Sequence, residues 1–224
     1  MATIVHHLNQ SRSQRVLFVL EELGRPYEIR FYQRNPKTLL APPELKRIHP
    51  LGKSPVVEDD GDVLAETGLI LDTLIDRHGA GTTLRPEAGT KERLRYDYYL
   101  HYAEGSLMPL GLLSLVFSRL PSQAPFPIRP VAKLLAAGVR KQFVGPNIGH
   151  HLRFLNDELD GRPWFAGQDF TGADAMMSFP VQALNDRAGL GRYPNLADWL
   201  RRLEARPAWT RATEKGGTLT FEFG

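Results

Sequence analysis

The first 80 residues switch between two periods of apolar and polar positions. Residues 3–8 (TIVHHL) are β-prone and residues 27–32 (YEIRFY) alternate, so both segments predict strands. Four apolar residues between them recur at helical spacing, and these are Val16, Val19, Leu20 and Leu23. This spacing predicts a helix over residues 14–23 that Gly24 terminates. A strand, a helix and a strand within about thirty residues predict a parallel, right-handed βαβ unit.

A second group of β-prone residues follows. The apolar pairs at 56–57 and 63–64 flank an acidic turn, and this pattern predicts a β-hairpin. A short helical piece is expected near residues 43–48, and another helix is expected to begin at Thr67 as its N-cap. The resulting order β-α-β-α-β-β-α predicts a small mixed sheet covered by helices.

Glycine and proline become frequent after these elements. Residues 80–88 are predicted to link a first domain, 1–79, to a second domain, 89–224. Strand patterns nearly vanish in the second domain, which is predicted to be all-α. Its predicted helices are 91–117 with a kink at Pro109, 131–159, one that opens at Thr171 with a T-x-x-D capping box, and 196–203. Two further segments are a proline-rich loop at 121–130 and a strand-like alternation at 218–223 without an assigned place.

Composition narrows the classes of protein. The chain has 224 residues, 42% of them hydrophobic, which is enough for a substantial core. The absence of cysteine excludes disulfides, thiolate metal sites and a cysteine nucleophile. The net charge is only +3 and no basic block is long, so nucleic acid is not an expected partner. No apolar run approaches a membrane span and no signal pattern is found, so we expect a cytoplasmic protein without a membrane partner.

Residues 50–71 carry the features of a ligand site. The Ser54-Pro55 bond is a candidate for the cis form, which would leave the backbone N–H and C=O of Ser54 free to pair with an extended ligand. The helix start at Thr67 offers free N–H groups to an anion, while Glu66 offers a negative charge to an amine. Lys53 adds a positive charge at the other end. These residues fit a short extended peptide, or equally an ordinary surface hairpin, a capped helix and a solvated lysine.

The order of these motifs resembles the cytosolic glutathione S-transferases over nearly the whole chain, nearest to their bacterial and fungal branch with a serine in the first loop. Four segments carry the resemblance: Ser11–Gly24, His49–Val56, Glu66-Thr67 and Thr171–Asp174. In that family an N-terminal domain with a thioredoxin-like fold binds glutathione, a helical domain follows, and the protein is a homodimer. The chain departs from the family pattern by having Thr at position 67 and Ser at position 54.

The resemblance implies a role for each residue of the ligand site. Ser54, beside Pro55, is expected to pair its backbone with the cysteinyl unit of glutathione. Glu66 and Thr67 are expected to hold the γ-glutamyl end, and Lys53 is expected to face the glycine carboxylate. Glutathione then acts as a co-substrate, and no other cofactor and no metal are expected.

Ser11 is the predicted catalytic residue, since the reaction requires a glutathione thiolate. A hydroxyl at the start of the first helix can donate a hydrogen bond to sulfur while it accepts a backbone N–H as an N-cap. Ser11 and Gln14 also fit an S-x-x-Q capping box, and a purely structural cap stays open as the alternative. Ser13 is the rival donor, with Asn9 or Gln10 as possible assistants and Arg12 as a source of positive potential.

The electrophile is expected to bind between the domains, against the first long helix of the second domain. The candidate residues are Tyr98, His101, Tyr102, Glu104 and Met108, although such residues at helical spacing are more often core. Glu104 is alternatively expected to reach a neighbouring subunit. The expected activity is conjugation of glutathione to small hydrophobic electrophiles, as in detoxification. Two alternatives stay open: glutathione-dependent reduction of disulfides or peroxides on the same site, and glutathione binding without catalysis.

Two other motifs are set aside. Gly52-Lys53-Ser54 looks like the end of a phosphate-binding loop, but the loop's first glycine is missing and Pro55 blocks the helix that must follow. The adjacent pairs His6-His7 and His150-His151 lack the spacing of metal ligands on a helix face and are interpreted as structural.

Overall fold

A computed structural model describes residues 2–36 and 38–221 of the chain. In this part, four strands form one mixed sheet in the order β2-β1-β3-β4. The strands are β1 (Thr3–Leu8), β2 (Tyr27–Tyr32), β3 (Val56–Asp59) and β4 (Asp62–Ala65). β1 and β2 run parallel in register from Thr3↔Tyr27 to Leu8↔Tyr32, with helix α1 (Gln14–Glu22) between them in the chain. The predicted βαβ unit is confirmed.

The predicted hairpin is confirmed as well. β3 and β4 pair antiparallel up to Asp59↔Asp62, and only Asp60 and Gly61 lie between. Both have positive φ, 48° and 93°, which is the conformation of the two-residue turn that matches the twist of a hairpin. β3 also pairs antiparallel with β1.

Two helical elements complete the first domain. A short 3₁₀ helix, Pro43–Arg47, occupies the place of the predicted second helix, and α2 (Thr67–His78) follows β4. The predicted order β-α-β-α-β-β-α is therefore present, and the next helix begins only at Lys91.

The second part of the chain is helical as predicted, but its helices are divided differently. They are α3 (Lys91–Tyr102), α4 (Met108–Gln123), α5 (Arg129–Val139), α6 (Gly145–Glu158), α7 (Gly172–Ala188), α8 (Pro194–Glu204) and α9 (Pro207–Gly216). Single π-helical turns, Ala103–Leu107 and Arg140–Val144, interrupt the two long predicted helices. The predicted kink at Pro109 inside one long helix is wrong. Pro109 lies in the first turn of α4, where its missing N–H costs no hydrogen bond.

Two predictions about the later chain need correction. The proline-rich segment is not all loop: α4 continues through Pro121, and a 3₁₀ turn, Phe126–Ile128, precedes α5. The alternation at 218–223 forms no strand up to Phe221, and Glu222 and Phe223 lie outside the described residues. Helix α9 was not predicted at all, although Pro207 at its first turn and Gly217 after its end are ordinary helix boundaries.

Helix α1 lies at the junction of the two parts. It packs against α2, α7 and α9, and Phe18 contacts the rings of Phe170 and Trp209 at centroid distances of 5.4 and 5.1 Å. At the carboxyl end of the helix, Glu21 accepts from Arg211 and Lys215 of α9. The loop that precedes α1 is therefore held between the sheet and the last helix. None of the described helices combines the length and apolarity that a bilayer span requires.

Candidate functional site

The loop from Asn9 to Ser13 joins β1 to α1 and carries the predicted catalytic serine. Ser11 is 5% exposed and Ser13 is fully buried. The Ser11 Oγ accepts the backbone N–H of Ser13 at 3.2 Å and lies 2.8 Å from the Ser13 Oγ. Ser11 is thus a backbone acceptor, as the sequence predicted, with a second hydroxyl beside it.

The capping box predicted for Ser11 and Gln14 is wrong. The N-cap position of α1 is Ser13, which makes no side-chain cap bond. The Gln14 side chain lies against Gly216 of α9, where an added Cβ would be 2.4 Å from the Gln14 Oε1. Its amide nitrogen and oxygen are buried without a hydrogen-bond partner among the described residues. Packing against α9 therefore displaces the side chain that would have closed the box.

The Ser54-Pro55 peptide bond is cis, as predicted. The Ser54 side chain joins the end of β1, since its Oγ donates to the His6 carbonyl at 3.0 Å and accepts the Leu8 N–H at 3.3 Å. Within the described residues, the backbone N–H and C=O of Ser54 have no hydrogen-bond partner. They form a free edge next to the loop of Ser11. Pro55 is buried below this edge, and Lys53 is exposed above it.

The start of α2 differs from the prediction in one respect. Glu66, not Thr67, occupies the N-cap position, and Thr67 is the first helical residue. Glu66 has a φ of 71°, a left-handed conformation that costs a residue with a Cβ about 1–3 kcal/mol and is concentrated at ligand sites. The Glu66 carbonyl accepts from Ile70, so the first N–H groups of the helix point outward beside an exposed carboxylate.

A cavity of about 340 Å³ brings part of the predicted site together. Ser11, Lys53 and Ser54 line one side of it. An apolar wall of the cavity comes from α4, α7 and the C-terminal segment: Met108, Leu112, Leu115, Phe179, Ala183 and Phe221. A hydroxyl, a free peptide edge and an apolar wall thus face the same space. Thr67 and Pro55 are buried outside its lining.

Glu66 opens on a second, adjoining hollow of about 670 Å³ between α2 and α3. Arg12 connects the two hollows. It lines the first, and its Nε lies 3.1 Å from the Oε1 of Glu104, which lines the second. Glu104 also accepts from the buried Arg15 at 2.7 Å. Burial lowers the pKa of Arg15 to about 10, and the Glu104 carboxylate opposes that shift. Glu104 is therefore paired within its own chain, and His101 lines this second hollow rather than the first.

Of the predicted electrophile residues, only Met108 lines the cavity with Ser11. Tyr98 and Tyr102 stack on each other, contact Phe154 of α6, and the Tyr102 hydroxyl bonds to His151. The intervening π-helical turn explains the difference, since it shifts the helical phase and turns the face of α3 away from that of α4. The sequence offered no signal for that turn.

The histidine pair on β1 is divided between two environments. His6 lies between the Tyr32 hydroxyl, at 2.9 Å, and the Glu58 carboxylate, at 2.8 Å. His7 contacts the Ser13 Oγ at 2.9 Å and the Gly216 carbonyl at 2.9 Å. Burial lowers the pKa of His7. His7 is thus connected to the Ser11 loop, which its interpretation as a structural residue did not anticipate.

The described residues contain one group with the spacing of metal ligands, formed by Asp59, Asp60 and His78. Asp59 is buried and accepts from Thr3 at 2.6 Å, from Arg77 and from His78. These bonds join β1, β3 and α2. The carboxylate is therefore engaged in holding the sheet to its helix.

Comparisons with known proteins agree with this architecture. The N-terminal domain of glutathione S-transferases matches residues 11–77, and the C-terminal domain of glutathione S-transferases matches residues 142–202. Glutathione S-transferase 3 of Schizosaccharomyces pombe is 35% identical over 222 residues, 97% of this chain and 90% of the relative. The disulfide-bond oxidoreductase YfcG of Escherichia coli is 30% identical over 182 residues, 77% of each chain.

A solved structure extends the likeness to three dimensions. The crystal structure of a glutathione S-transferase from Actinobacillus pleuropneumoniae superposes with a TM-score of 0.83 at 33% identity, and it covers 99% of this chain and 96% of that one. The likeness spans both the sheet domain, which has the thioredoxin-like fold, and the helical domain. The chain therefore belongs to the glutathione S-transferase family.

Proposed function

We propose that this protein conjugates the glutathione thiolate to small hydrophobic electrophiles. One observation carries the proposal: the buried hydroxyl of Ser11 opens on the same cavity as the free backbone edge of Ser54 and an apolar wall. A thiol peptide paired with that edge has its sulfur near Ser11 and its electrophile against Met108, Leu112 and Phe179.

The rest of the peptide has matching partners on either side. Lys53 lines the cavity and is the cation for the glycine carboxylate. Glu66 and the open N-terminus of α2 are the partners of the γ-glutamyl end, with the carboxylate of Glu66 for the amine and the helix N–H groups for the α-carboxylate. Arg12 lies where the two hollows meet and adds positive potential near the sulfur.

The expected chemistry is thiolate stabilisation. A free thiol with a pKa near ~8.5 is only a few per cent ionised at pH 7, and lowering that pKa by about two units takes roughly 2.7 kcal/mol. A hydrogen bond to a charged acceptor supplies about 1.5–3 kcal/mol. The start of α1 adds about 0.3–1 kcal/mol. Donation from Ser11 together with the helix dipole therefore covers most of the requirement.

The test is Ser11→Ala. We expect at least about tenfold lower turnover of an aryl halide and a higher pKa of the bound thiol, read from thiolate absorbance in the ultraviolet. Ser122→Ala is the matched control, because Ser122 is exposed on α4 and its hydroxyl, among the described residues, bonds to the Arg119 carbonyl of its own helix. An unchanged pH–rate profile in Ser11→Ala would remove Ser11 from the mechanism.

A second candidate activity is glutathione-dependent reduction of disulfides or peroxides on the same site. It is supported by the likeness to a disulfide-bond oxidoreductase and by the absence of cysteine, which makes bound glutathione the source of the thiol. Parallel assays with an aryl halide, a mixed disulfide and a peroxide separate the two activities. A protein that binds glutathione without forming the thiolate would be inactive in all three and would show no thiolate absorbance.

We also propose a cytoplasmic homodimer that needs no cofactor other than glutathione and acts in detoxification. Large apolar side chains on α2 and α3 support a dimer, because Leu69, Leu94 and Tyr98 are 56%, 73% and 47% exposed. Sedimentation of the wild-type chain against Leu94→Glu tests the assembly, and we expect the variant to sediment as a monomer.

A further inference from the structure

His7, Ser13 and Ser11 form one chain of hydrogen bonds that runs from the last helix to the cavity. The His7 Nε2 lies 2.9 Å from the Gly216 carbonyl at the end of α9. The His7 Nδ1 lies 2.9 Å from the Ser13 Oγ, which is 2.8 Å from the Ser11 Oγ. His7 and Ser13 are at most 1% exposed, so water does not compete for these bonds.

The chemistry of the groups fixes the direction of each bond. A carbonyl oxygen only accepts, so the His7 Nε2 carries a hydrogen and donates to Gly216. Burial lowers the pKa of His7, so the ring is neutral and its Nδ1 accepts from the Ser13 hydroxyl. Ser13 has one proton, so its Oγ accepts from Ser11. In the free protein the Ser11 hydroxyl therefore points away from the cavity, towards Ser13.

This direction is opposite to the one that thiolate stabilisation requires. A hydroxyl that donates to Ser13 presents only lone pairs to the cavity, which suits a thiol S–H rather than a thiolate. A further acceptor near the Ser13 Oγ is the Leu8 carbonyl, at the longer distance of 3.3 Å. A simple rotation of Ser11 towards sulfur would give up its bond to Ser13 inside a buried network.

We infer that His7 is a positioning residue that takes up the thiol proton through Ser13 and Ser11 and so turns the Ser11 hydroxyl towards the sulfur. The inference rests on the proposed function. The thiol gives its proton to the Ser11 Oγ, Ser11 passes its own to Ser13, and Ser13 passes its own to the His7 Nδ1. Three protons move and none is gained or lost: a thiol and an imidazole become a thiolate and an imidazolium. The bonds between Ser11 and Ser13 and between Ser13 and His7 are kept with their directions reversed, and the His7 Nε2–H still donates to the Gly216 carbonyl.

The groups that contact the His7 ring carry no charge, so the glutathione thiolate is the counter-charge of the imidazolium. The ring contacts the Phe31 ring edge on β2, Ser13 and the Gly216 carbonyl, none of which is charged. His6 points to the other face of the sheet, towards Glu58. The charged residues of the packed elements are Arg15, Glu21 and Glu22 on α1, Glu28 and Arg30 on β2, Glu58 and Asp59 on β3, and Arg211, Glu214 and Lys215 on α9. Within the described part of the chain, all of them except Glu214 form ion pairs with side chains other than His7.

The first test compares His7→Asn and Ser13→Ala with His6→Asn, which makes the same change at the neighbouring buried histidine outside the network. For the first two variants we expect about tenfold lower kcat/KM at pH 6.5, less than about twofold at pH 9, and unchanged affinity for glutathione. The double variant should lose no more than either single one. His6→Asn should keep the wild-type pH profile. A purely structural His7 would lower stability and leave the profile of His7→Asn unchanged, which overturns the inference.

The second test uses the wild-type protein and so does not depend on folding of a variant. Nitrogen-15 NMR of the histidine rings should show His7 as the neutral Nε2–H form in the free protein and with S-methylglutathione, which has no ionisable thiol. With glutathione, the His7 Nδ1 should become protonated. If glutathione binds as a thiolate while His7 stays neutral, the inference about His7 is overturned but the proposed function is not. Failure of glutathione to bind or react overturns the proposed function instead.

Discussion

The helices α1 and α7 both begin behind a hydroxyl residue with a polar residue three positions later. At α7, the Asp174 carboxylate accepts from the Thr171 N–H and hydroxyl, at 3.0 and 3.1 Å, while the Thr171 Oγ1 accepts the Ala173 N–H. The same carboxylate accepts from the Phe165 N–H and the Trp199 Nε1, both at 2.9 Å. At α1, the Gln14 side chain does not close a capping box. The hydroxyls of Ser11 and Ser13 bond to each other, and the Ser13 hydroxyl also bonds to His7.

The two helix starts differ in whether all of their polar groups are paired inside the protein. Asp174 is fully buried, and burial raises its pKa despite the four donors around it. Each of its oxygens is used, so the box joins the start of α7 to α8 and to the preceding loop. At α1 the polar groups form an open chain whose outer end reaches the cavity. The same sequence pattern therefore gives a fully paired helix start in one domain and, in the other, a chain of hydroxyls that ends at a cavity.

The largest expected effect is the loss of stability when the Asp174 carboxylate is removed. Asp174→Ala leaves the N–H groups of Phe165, Thr171 and Trp199 buried without an acceptor, and we expect the free energy of unfolding to fall by about 3–5 kcal/mol. Urea denaturation measures it. The exposed Asp169→Ala is the control and should change stability by less than about 0.5 kcal/mol. If the free energy of unfolding falls by less than about 1 kcal/mol in Asp174→Ala, the capping box does not hold α7 to α8 and the preceding loop.

A smaller effect distinguishes the two hydroxyl residues. Thr171→Ala should lower the free energy of unfolding by about 1–2 kcal/mol, since it removes the N-cap bond from the Ala173 N–H and one donor to Asp174, and should leave turnover within about twofold of wild type. Ser11→Ala should lower turnover as well as stability, the latter by about 1 kcal/mol because the buried Ser13 N–H loses its acceptor. Denaturation and steady-state assays on both variants provide the comparison. Turnover of Ser11→Ala within about twofold of wild type would mean that both helix starts are structural.

The smallest effect is the pH dependence that His7 adds in the absence of glutathione. Because its folded pKa is below the value near ~6.5 of an unfolded histidine, the unfolded state binds the proton first as pH falls. His7 therefore destabilises the fold as pH falls through that range, and this cost is absent at pH 7.5. The stability advantage of wild type over His7→Asn should shrink between pH 7.5 and 5.5. An advantage that grows on acidification would contradict a neutral buried ring.

How much the sequence could predict depended on how local the signal was. The βαβ unit, the hairpin at Asp60-Gly61 and the box of Thr171 and Asp174 rest on residues close in the chain, and all were predicted. Helix α9 was missed because its buried residues, Ala208 and Ala212, are small and give no apolar stripe. Its contacts with Gln14 and His7 span more than 200 residues, so the open start of α1 was not predictable from the S-x-x-Q pattern.

The two groups of residues that line the cavity differ in how local their sequence signals are. Ser11, Lys53 and Ser54 lie in loops whose chemistry is readable from turn and proline signals. The apolar wall comes from α4, α7 and Phe221, which only the tertiary structure brings together. The tyrosines of α3 have the right spacing for such a wall, but the π-helical turn directs them to α6.

The segment after α9 has a practical consequence for anyone who attaches a label or an affinity tag. The Gln10 amide holds this segment at two points, the Thr218 carbonyl at 2.9 Å and the Thr220 N–H at 2.7 Å, and the Phe221 ring then stacks edge-on against Phe179 in the cavity wall. A bulky label on Thr218 or Thr220 would therefore break the bonds to Gln10 and displace the Phe221 ring from the cavity wall. A label belongs on a surface away from this segment.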